Sequence, residues 1–362
     1  MTSQFLTALG LMSGTSLDGV DAALLVTDGE TVRDVGPALT LPYPDDLRGR
    51  LRAVLGGVGE VAAVEREVSV LHAAAVAALL ERAGLGPGAV DVIGFHGHTI
   101  LHRPGEGRTW QIGDGALLAR LTGVAVVNDF RSADVANGGE GAPLVPVFHA
   151  SLAADLPRPL AVLNLGGVGN VTWLGGGGRL LAFDTGPGNA LIDDWCLTHC
   201  GRPMDVDGGL AAVGDVAEAR VAAFLEHPFF RRRPPKSLDR DDFRAFAAGL
   251  VAGLSAADGA ATLTAFTAAA AAAALPHLPE APRRWLVCGG GRRNPVLMAA
   301  LAARLAAPVE AVETVGWDGD ALEAQAFALL AVRSRRGLPL TLPETTGAAR
   351  PTTGGRFHPS PG

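Results

Sequence analysis

The chain is predicted to be an α/β protein of two related lobes, and three features of the sequence point there. Strand-length apolar runs that end in glycine-rich or polar turns alternate with helical segments, the pattern of an α/β sheet with its site at the strand carboxyl ends. The order strand, glycine turn, strand, hairpin, strand occurs twice, once from residue 7 and once from residue 161, with low identity between the copies. With 362 residues and 48% hydrophobic side chains the chain is long and apolar enough for two cores. Two lobes facing each other across a cleft is the simplest reading.

In the first copy, residues 7–12 read as a strand, Ser13 to Gly19 as a turn of glycines and hydroxyls, 20–26 as a second strand, Asp28-Gly29 as a hairpin signal and 31–41 as a third strand. An alanine-rich helix is predicted over 61–83, ended by Gly84, and a buried strand over 90–95 leads into His96-Gly97-His98. A helix over 116–121 and a strand over 124–127 follow, the strand ending in Asn128-Asp129-Phe130-Arg131. Pro157-Arg158-Pro159 is the expected linker, giving an N-terminal lobe 1–157, a C-terminal lobe 158–335, and a segment 336–362 that could rejoin the first.

The second copy runs through strands 161–163, 170–174 and 179–183, with a turn at Asn164, Gly166 and Gly167 and a glycine hairpin at 175–178. Its third strand delivers Asp184 to a turn, Thr185-Gly186-Pro187-Gly188-Asn189, that opens a helix. Glycine turns let backbone N–H groups approach an anion closely, and a helix N-terminus adds partial positive charge. An acid between two such turns points to chemistry on a phosphate; the plainer alternative for Asp184 is a helix N-cap. Further helices are predicted over 216–226, 263–275, 295–305 and 321–335, the last able to return to the first lobe, with a strand over 284–287 and a turn-like or frayed tail from 345.

Composition narrows the function. The net charge is −7 and no basic run exceeds Arg231-Arg232-Arg233, so no nucleic-acid footprint is present. No run of about 18 to 20 apolar residues is free of glycine or charge, and residues 1–9 lack the basic start of a signal peptide, so no membrane partner and a cytoplasmic location are expected. Cys196, Cys200 and Cys288 are too few for a disulfide framework; the first two, four apart on a predicted helix, read as packing residues. Lys236 is the only lysine and follows two prolines, which excludes a Walker A loop and a protein-kinase lobe. Bound nucleotide phosphates would then be held by amides, hydroxyls and a metal.

The run Leu11-Met12-Ser13-Gly14-Thr15-Ser16-Leu17-Asp18-Gly19-Val20-Asp21 resembles the phosphate loop of anhydro-N-acetylmuramic acid kinases. Asp129-Phe130-Arg131, the stretches 164–170 and 183–189, and Cys288-Gly289-Gly290-Gly291 are similar to further blocks of that family, in its order and over nearly the whole chain. The resemblance implies an actin/hexokinase/Hsp70-like ATPase fold with duplicated βββαβαβα-type lobes, and ATP with Mg2+ in the cleft. It implies a kinase that opens the 1,6-anhydro ring of 1,6-anhydro-N-acetylmuramic acid with water and phosphorylates O6, giving N-acetylmuramic acid 6-phosphate and ADP in cell-wall recycling.

The residues fit that chemistry. Ordinary inverting glycoside hydrolysis needs two carboxyl groups. Here the leaving oxygen O6 can be captured by the γ-phosphoryl group, so one carboxylate suffices, and Asp184 is the expected base for the attacking water. Gly14, Thr15, Ser16, Leu17, Gly19, Val20 and Asp21 would line the phosphates, with Asp18 near Mg2+ through water; Gly166, Gly167 and Asn170 would form the second phosphate turn and Gly289, Gly290 and Gly291 pass under the adenosine. Asp129, Arg131, His96 and Glu323 are candidates for the sugar, against a structural ion pair for the first two and a solvated helix charge for Glu323. Lys236 and Ser237 lie on a loop similar to one in the family, although Leu238-Asp239 replaces the expected Thr-Gly. His96, His98 and His102 lack a clear fourth ligand for a metal, and His98 stands where the family usually has Gln. A sugar or acid kinase with another acceptor, or a nonenzymatic actin-like ATPase, are the alternatives, and a homodimer is left open.

Overall fold

In the computed structural model of the chain, residues 4–14, 17–239 and 242–361 are described. Contacts divide the chain into two compact units, Met1–Ala154 with Ala321–Gly362, and Asp155–Asp320.

The first unit opens with β1 (Leu6–Ser13), β2 (Gly19–Thr27) and β3 (Val32–Pro42), an antiparallel meander as the hairpin signals require. Helices α1 (Asp45–Ala53) and α2 (Val61–Ala83) follow, and Gly84 ends α2 in the left-handed conformation. Strand β4 (Val92–Arg103) pairs parallel to β1 and is far longer than the predicted 90–95, because β5 (Arg108–Ile112) folds back onto its second half. Asp114 caps α3 (Gly115–Thr122), its carboxylate accepting the Leu117 N–H at 2.9 Å, and β6 (Val126–Asn128) pairs parallel to β4. Short helices α4 (Ser132–Ala136) and α5 (Pro146–Leu152) complete this part.

The second unit repeats the plan. β7 (Leu160–Leu165), β8 (Val168–Leu174) and β9 (Leu180–Pro187) form a second antiparallel meander, followed by α6 (Ala190–Cys200), α7 (Glu218–Leu225), α8 (Arg244–Val251) and α9 (Ala256–Ala272). β10 (Trp285–Cys288) lies parallel to β7, and α10 (Pro295–Arg304) leads to β11 (Val309–Ala311), parallel to β10. The sheet order β9-β8-β7-β10-β11 matches β3-β2-β1-β4-β6 of the first unit position for position, so the duplication read from the turns is a duplication of topology. Helix α9 begins seven residues before the predicted start, at the Ser255 cap, whose hydroxyl accepts the Asp258 N–H at 3.1 Å. The stretch Ala256–His277 is apolar and long enough to cross a membrane, with mean hydropathy 1.4, but 78% of it is buried and it forms the unit's central helix.

The chain then returns to the first unit as α11 (Leu322–Arg335), α12 (Pro343–Thr346) and β12 (Arg356–His358). Leu9 and Leu11 of β1 face the core under α2, so Gly10 between them faces the other way. A Cβ at Gly10 would stand 1.7 Å from the Ala324 carbonyl oxygen, and one at Gly94 of β4 2.0 Å from that of Phe327. These two glycines let α11 lie directly on the strands. The tail is not frayed: β12 pairs antiparallel with β6 and the His358 Nε2 meets Asn128 Oδ1 at 3.0 Å.

Candidate functional site

In the first unit, β1, β4 and β6 run parallel, and their carboxyl ends carry the polar residues. Thr15 and Ser16 lie outside the described residues. Around them Gly14 ends β1, Leu17 takes a left-handed φ of 58°, its N–H donating to Gly14 O at 3.2 Å, and Asp18 is exposed with Oδ1 accepting the Gly19 N–H at 3.0 Å. Asp21, on β2, accepts the Thr40 hydroxyl at 2.5 Å, so it braces β3, and Val20 is buried core.

Two residues the sequence reading passed over hold this turn. The Tyr43 N–H donates to Asp18 O at 3.1 Å, its hydroxyl lies 2.5 Å from Ser13 Oγ, and Ser13 Oγ lies 2.8 Å from His98 Nδ1. Burial pushes the Tyr43 phenol up to about 12 and His98 down to about 4, so this buried chain is neutral near pH 7. Arg48 adds a bond from Nε to Leu17 O at 2.9 Å. Tyr43 is the chain's only tyrosine, the one signal in the sequence that could have drawn attention to it.

His96, Arg131 and Glu323 come together. Arg131 Nε donates to His96 Nε2 at 3.1 Å and its guanidinium donates to Gly141 O at 2.6 Å. The imidazole is therefore neutral: its Nε2 accepts, and burial followed by the charge of Arg131 holds His96 well below the usual range. Burial pulls Arg131 down to about 10, with Glu323 and Asp134 opposing that shift, and burial raises Glu323. Glu323 is therefore a partly desolvated carboxylate beside a guanidinium rather than a solvated helix charge. Asp129, at φ 55°, accepts the Ser132 N–H at 3.4 Å at the loop that leads to Arg131. Among the described residues no group of three or more His, Cys, Asp or Glu is placed to hold a metal.

In the second unit the strand ends again gather the candidates. Register aligns Asn164, Asn170 and Asp184 across β7, β8 and β9, and sets Cys288 of β10 beside Asn164. Gly166 and Gly167 form a tight turn whose carbonyls accept the Asn189 and Gly188 N–H groups at 2.7 and 2.9 Å, drawing the start of α6 against it. Asp184 is part of β9 and 9% exposed, and α6 is preceded by Asn189, so Asp184 is not its N-cap. Its backbone N–H donates to Lys236 O at 3.0 Å and its Oδ2 accepts the Leu238 N–H at 2.8 Å. Asn170 Oδ1 is buried with no hydrogen-bond partner among the described residues. Gly289, Gly290 and Gly291 close the end of β10, where Arg292 donates to Gly289 O at 3.0 Å and pairs with Glu313 and Asp320. Cys196 is buried as predicted, whereas Cys200 is exposed, because α6 turns only one face inward.

In the first unit an exposed carboxylate, Asp18, is of the kind that holds waters of a hydrated Mg2+, and in each unit the glycine turns carry backbone N–H groups of the kind that suit phosphate oxygens. Residues 6–360 match the family model described as Anhydro-N-acetylmuramic acid kinase. An anhydro-N-acetylmuramic acid kinase of Paramagnetospirillum magneticum is 66% identical over 97% of this chain and 99% of its own, and one of Rhodospirillum rubrum is 59% identical over 98% and 94%. Among solved structures, (R)-2-hydroxyglutaryl-CoA dehydratase component A of Acidaminococcus fermentans gives a TM-score of 0.48 at 14% identity, covering 91% of this chain and 99% of its own. A ROK family glucokinase of Streptomyces griseus gives 0.43 at 15%, covering 90% and 99%. With its model matched from end to end and its relatives this near, the chain belongs to the anhydro-N-acetylmuramic acid kinase family.

Proposed function

We propose that this chain uses ATP to convert 1,6-anhydro-N-acetylmuramic acid and water into N-acetylmuramic acid 6-phosphate and ADP, a step that returns cell-wall fragments to the cytoplasmic pool. The observation that carries the reading is the grip on Asp184, at the end of β9 and 9% exposed: its carboxylate accepts the Leu238 N–H, its own N–H is tied to Lys236 O, and it lies next in register to Asn170. A base must face its water in one orientation, and a buried carboxylate fixed by the main chain does so without reorganisation.

In this mechanism Asp184 takes the proton of the water that attacks C1. The C1–O6 bond breaks, O6 carries its electron pair onto the γ-phosphorus, and the bond to the β-phosphate oxygen breaks to release ADP. The turn after β1 would line the phosphates with Gly14, Leu17, Gly19 and the hydroxyls of Thr15 and Ser16. Gly166 and Gly167 would offer the second turn, and Gly289 to Gly291 would underlie the adenosine. Asp18 would hold a water of a bound Mg2+, whose charge offsets that building on the phosphates. Arg131, kept charged by Glu323 and aimed by His96, would take the lactyl carboxylate, with Asp129 and Glu323 toward the sugar hydroxyls.

The test is ADP release with Mg-ATP in the presence and absence of the anhydro sugar, with 18O water. Sugar-dependent turnover that labels C1 supports the reading. Slow hydrolysis indifferent to the sugar would favour an actin-like ATPase instead, and turnover with a different acceptor would favour another sugar or acid kinase.

A further inference from the structure

Of the 30 lysine and arginine side chains in this sequence only Lys236 is a lysine, so every other cationic position has been served by arginine. This one is buried, at 3% exposure. Its ammonium donates to Phe229 O at 3.1 Å, lies 4.4 Å from the centre of the Phe229 ring, and stands 5.7 Å from the ring of Phe183, the neighbour of Asp184 in β9. Two ring faces and one carbonyl make a compact cage for a point charge; the wider, planar guanidinium is a poor fit to it.

The main chain of the same residue reaches Asp184. Lys236 O accepts the Asp184 N–H and, two residues on, the Leu238 N–H donates to Asp184 Oδ2. We propose that Lys236 is the positioning residue for Asp184: its buried ammonium locks the 234–238 turn in place, and that turn holds Asp184 at two points, its backbone N–H through Lys236 O and its carboxylate through the Leu238 N–H. The proposal rests on Asp184 being the base. Burial and then Arg232 pull the Lys236 amine down to about 8, while Asp184 pulls it up. His277 is the other titratable group packed here, its ring 6.0 Å from that of Phe183 and its Nε2 3.1 Å from Phe230 O. A carboxylate that favours the charged ammonium couples the two side chains, and a titration of the amine reads that coupling.

A single lysine permits a direct test on the full chain. Protein grown with 13C,15N-lysine gives one Hε/Cε signal, and its pH titration reads Lys236 alone. The native midpoint is expected near 8, and in Asp184→Asn lower by about half a unit or more. An identical midpoint in the two proteins overturns the coupling. Turnover gives the second arm: Lys236→Met is expected to lower kcat about 10- to 100-fold, leave the KM for ATP within about twofold, and move the acid limb of the pH profile upward, with Lys236→Arg failing to restore it. Native kcat and an unmoved acid limb in Lys236→Met would overturn the positioning role while leaving Asp184 as the base. Full sugar-dependent turnover in Asp184→Asn would remove the base reading instead, and the titration would still report whether the two side chains are coupled. Should Lys236→Met not fold, the titration of the native chain and Asp184→Asn decides alone.

Discussion

The two units share one strand order and fasten their first turns by different means. In the first, the turn between β1 and β2 is held mainly by side chains, the hydroxyls of Tyr43 and Ser13 with His98 and the guanidinium of Arg48 on Leu17 O, beside one main-chain bond from the Tyr43 N–H to Asp18 O. In the second, the turn between β7 and β8 is two glycines, closed by the main chain entering α6, and Asp184 at the end of β9 is likewise held by main chain, its carboxylate by the Leu238 N–H and its own N–H by Lys236 O. A side-chain brace is lost with one substitution, whereas a backbone brace survives most substitutions and fails only when the loop moves. The difference also shows in what is buried. The first unit carries His72, His96, His98 and His149 at 0 to 4% exposure, and the second carries Lys236 and a core of alanine and phenylalanine.

The largest effect is expected at the carboxylates, since the proposed base, Asp184, lies in the second unit and Glu323 in the first. Asp184→Asn keeps the shape and is expected to lower sugar-dependent kcat by about 100-fold or more. Glu323→Gln, which removes the charge beside Arg131, is expected to raise the KM for the sugar about tenfold and to change kcat less. Steady-state ADP release on both variants checks this; the opposite ranking would transfer the base to the first unit.

Next in size is acid stability, which follows from the buried histidines. His72 and His98 are each held down to about 4 by burial, and both are neutral in the folded protein at neutral pH. The unfolded chain takes up their protons near 6.5 and the folded one only near 4, so stability is complete above about 6.5, falls with pH across that window, and levels off below it. Each contributes up to about 3 kcal/mol of loss. Urea melts between pH 7 and 4 check this, and His98→Gln is expected to make the fall shallower. A native chain as stable at pH 4.5 as at pH 7 would show that these imidazoles are not buried neutral.

Much of this was legible beforehand because turns and short-range order are written locally. The glycine turns, the hairpins, the paired meanders and Asp184 at a strand end were all read from adjacent residues. The place of α11 was read both ways, inside the second lobe's bounds and as able to return to the first, because Ala324, Ala326, Phe327, Leu329, Leu330 and Val332 are all buried and a helix apolar on every side carries no stripe that names its partner. What does name it is a hole on the other side: Gly10 and Gly94, some 230 to 310 residues away in sequence, whose missing side chains make room for it. The tail was read as frayed for a related reason, since a three-residue strand such as β12 exists only through the β6 edge it pairs with. Tyr43 escaped, and Lys236 was noticed without a role, because each acts on a residue distant in sequence, and the trace each leaves is that its residue type is used once.

A smaller effect is expected from the first turn's brace. Tyr43→Phe removes one buried hydroxyl and leaves Ser13 with His98, a loss of about 1 kcal/mol, which is expected to raise the KM for ATP about fivefold with kcat nearly unchanged. A binding isotherm with a nonhydrolysable ATP analogue separates this from a fold defect monitored by thermal melting. Unchanged affinity would mean that the Arg48 bond and the Tyr43 backbone N–H suffice to hold the loop.

The smallest effect tests the other side of the comparison. Leu238 stands where threonine is expected for the family, yet what reaches Asp184 is its backbone N–H, and its side chain packs against the phenylalanine cluster of the second unit. Leu238→Thr keeps that N–H and gives up some apolar contact, so the melting temperature should fall by a few degrees, for about 1 kcal/mol, while kcat stays within about twofold of native. Leu238→Pro deletes the N–H and is expected to lower kcat toward that of Asp184→Asn. If threonine alone cost tenfold in kcat, the grip on the base would depend on the side chain after all, and the contrast between the two turns would narrow to one of degree.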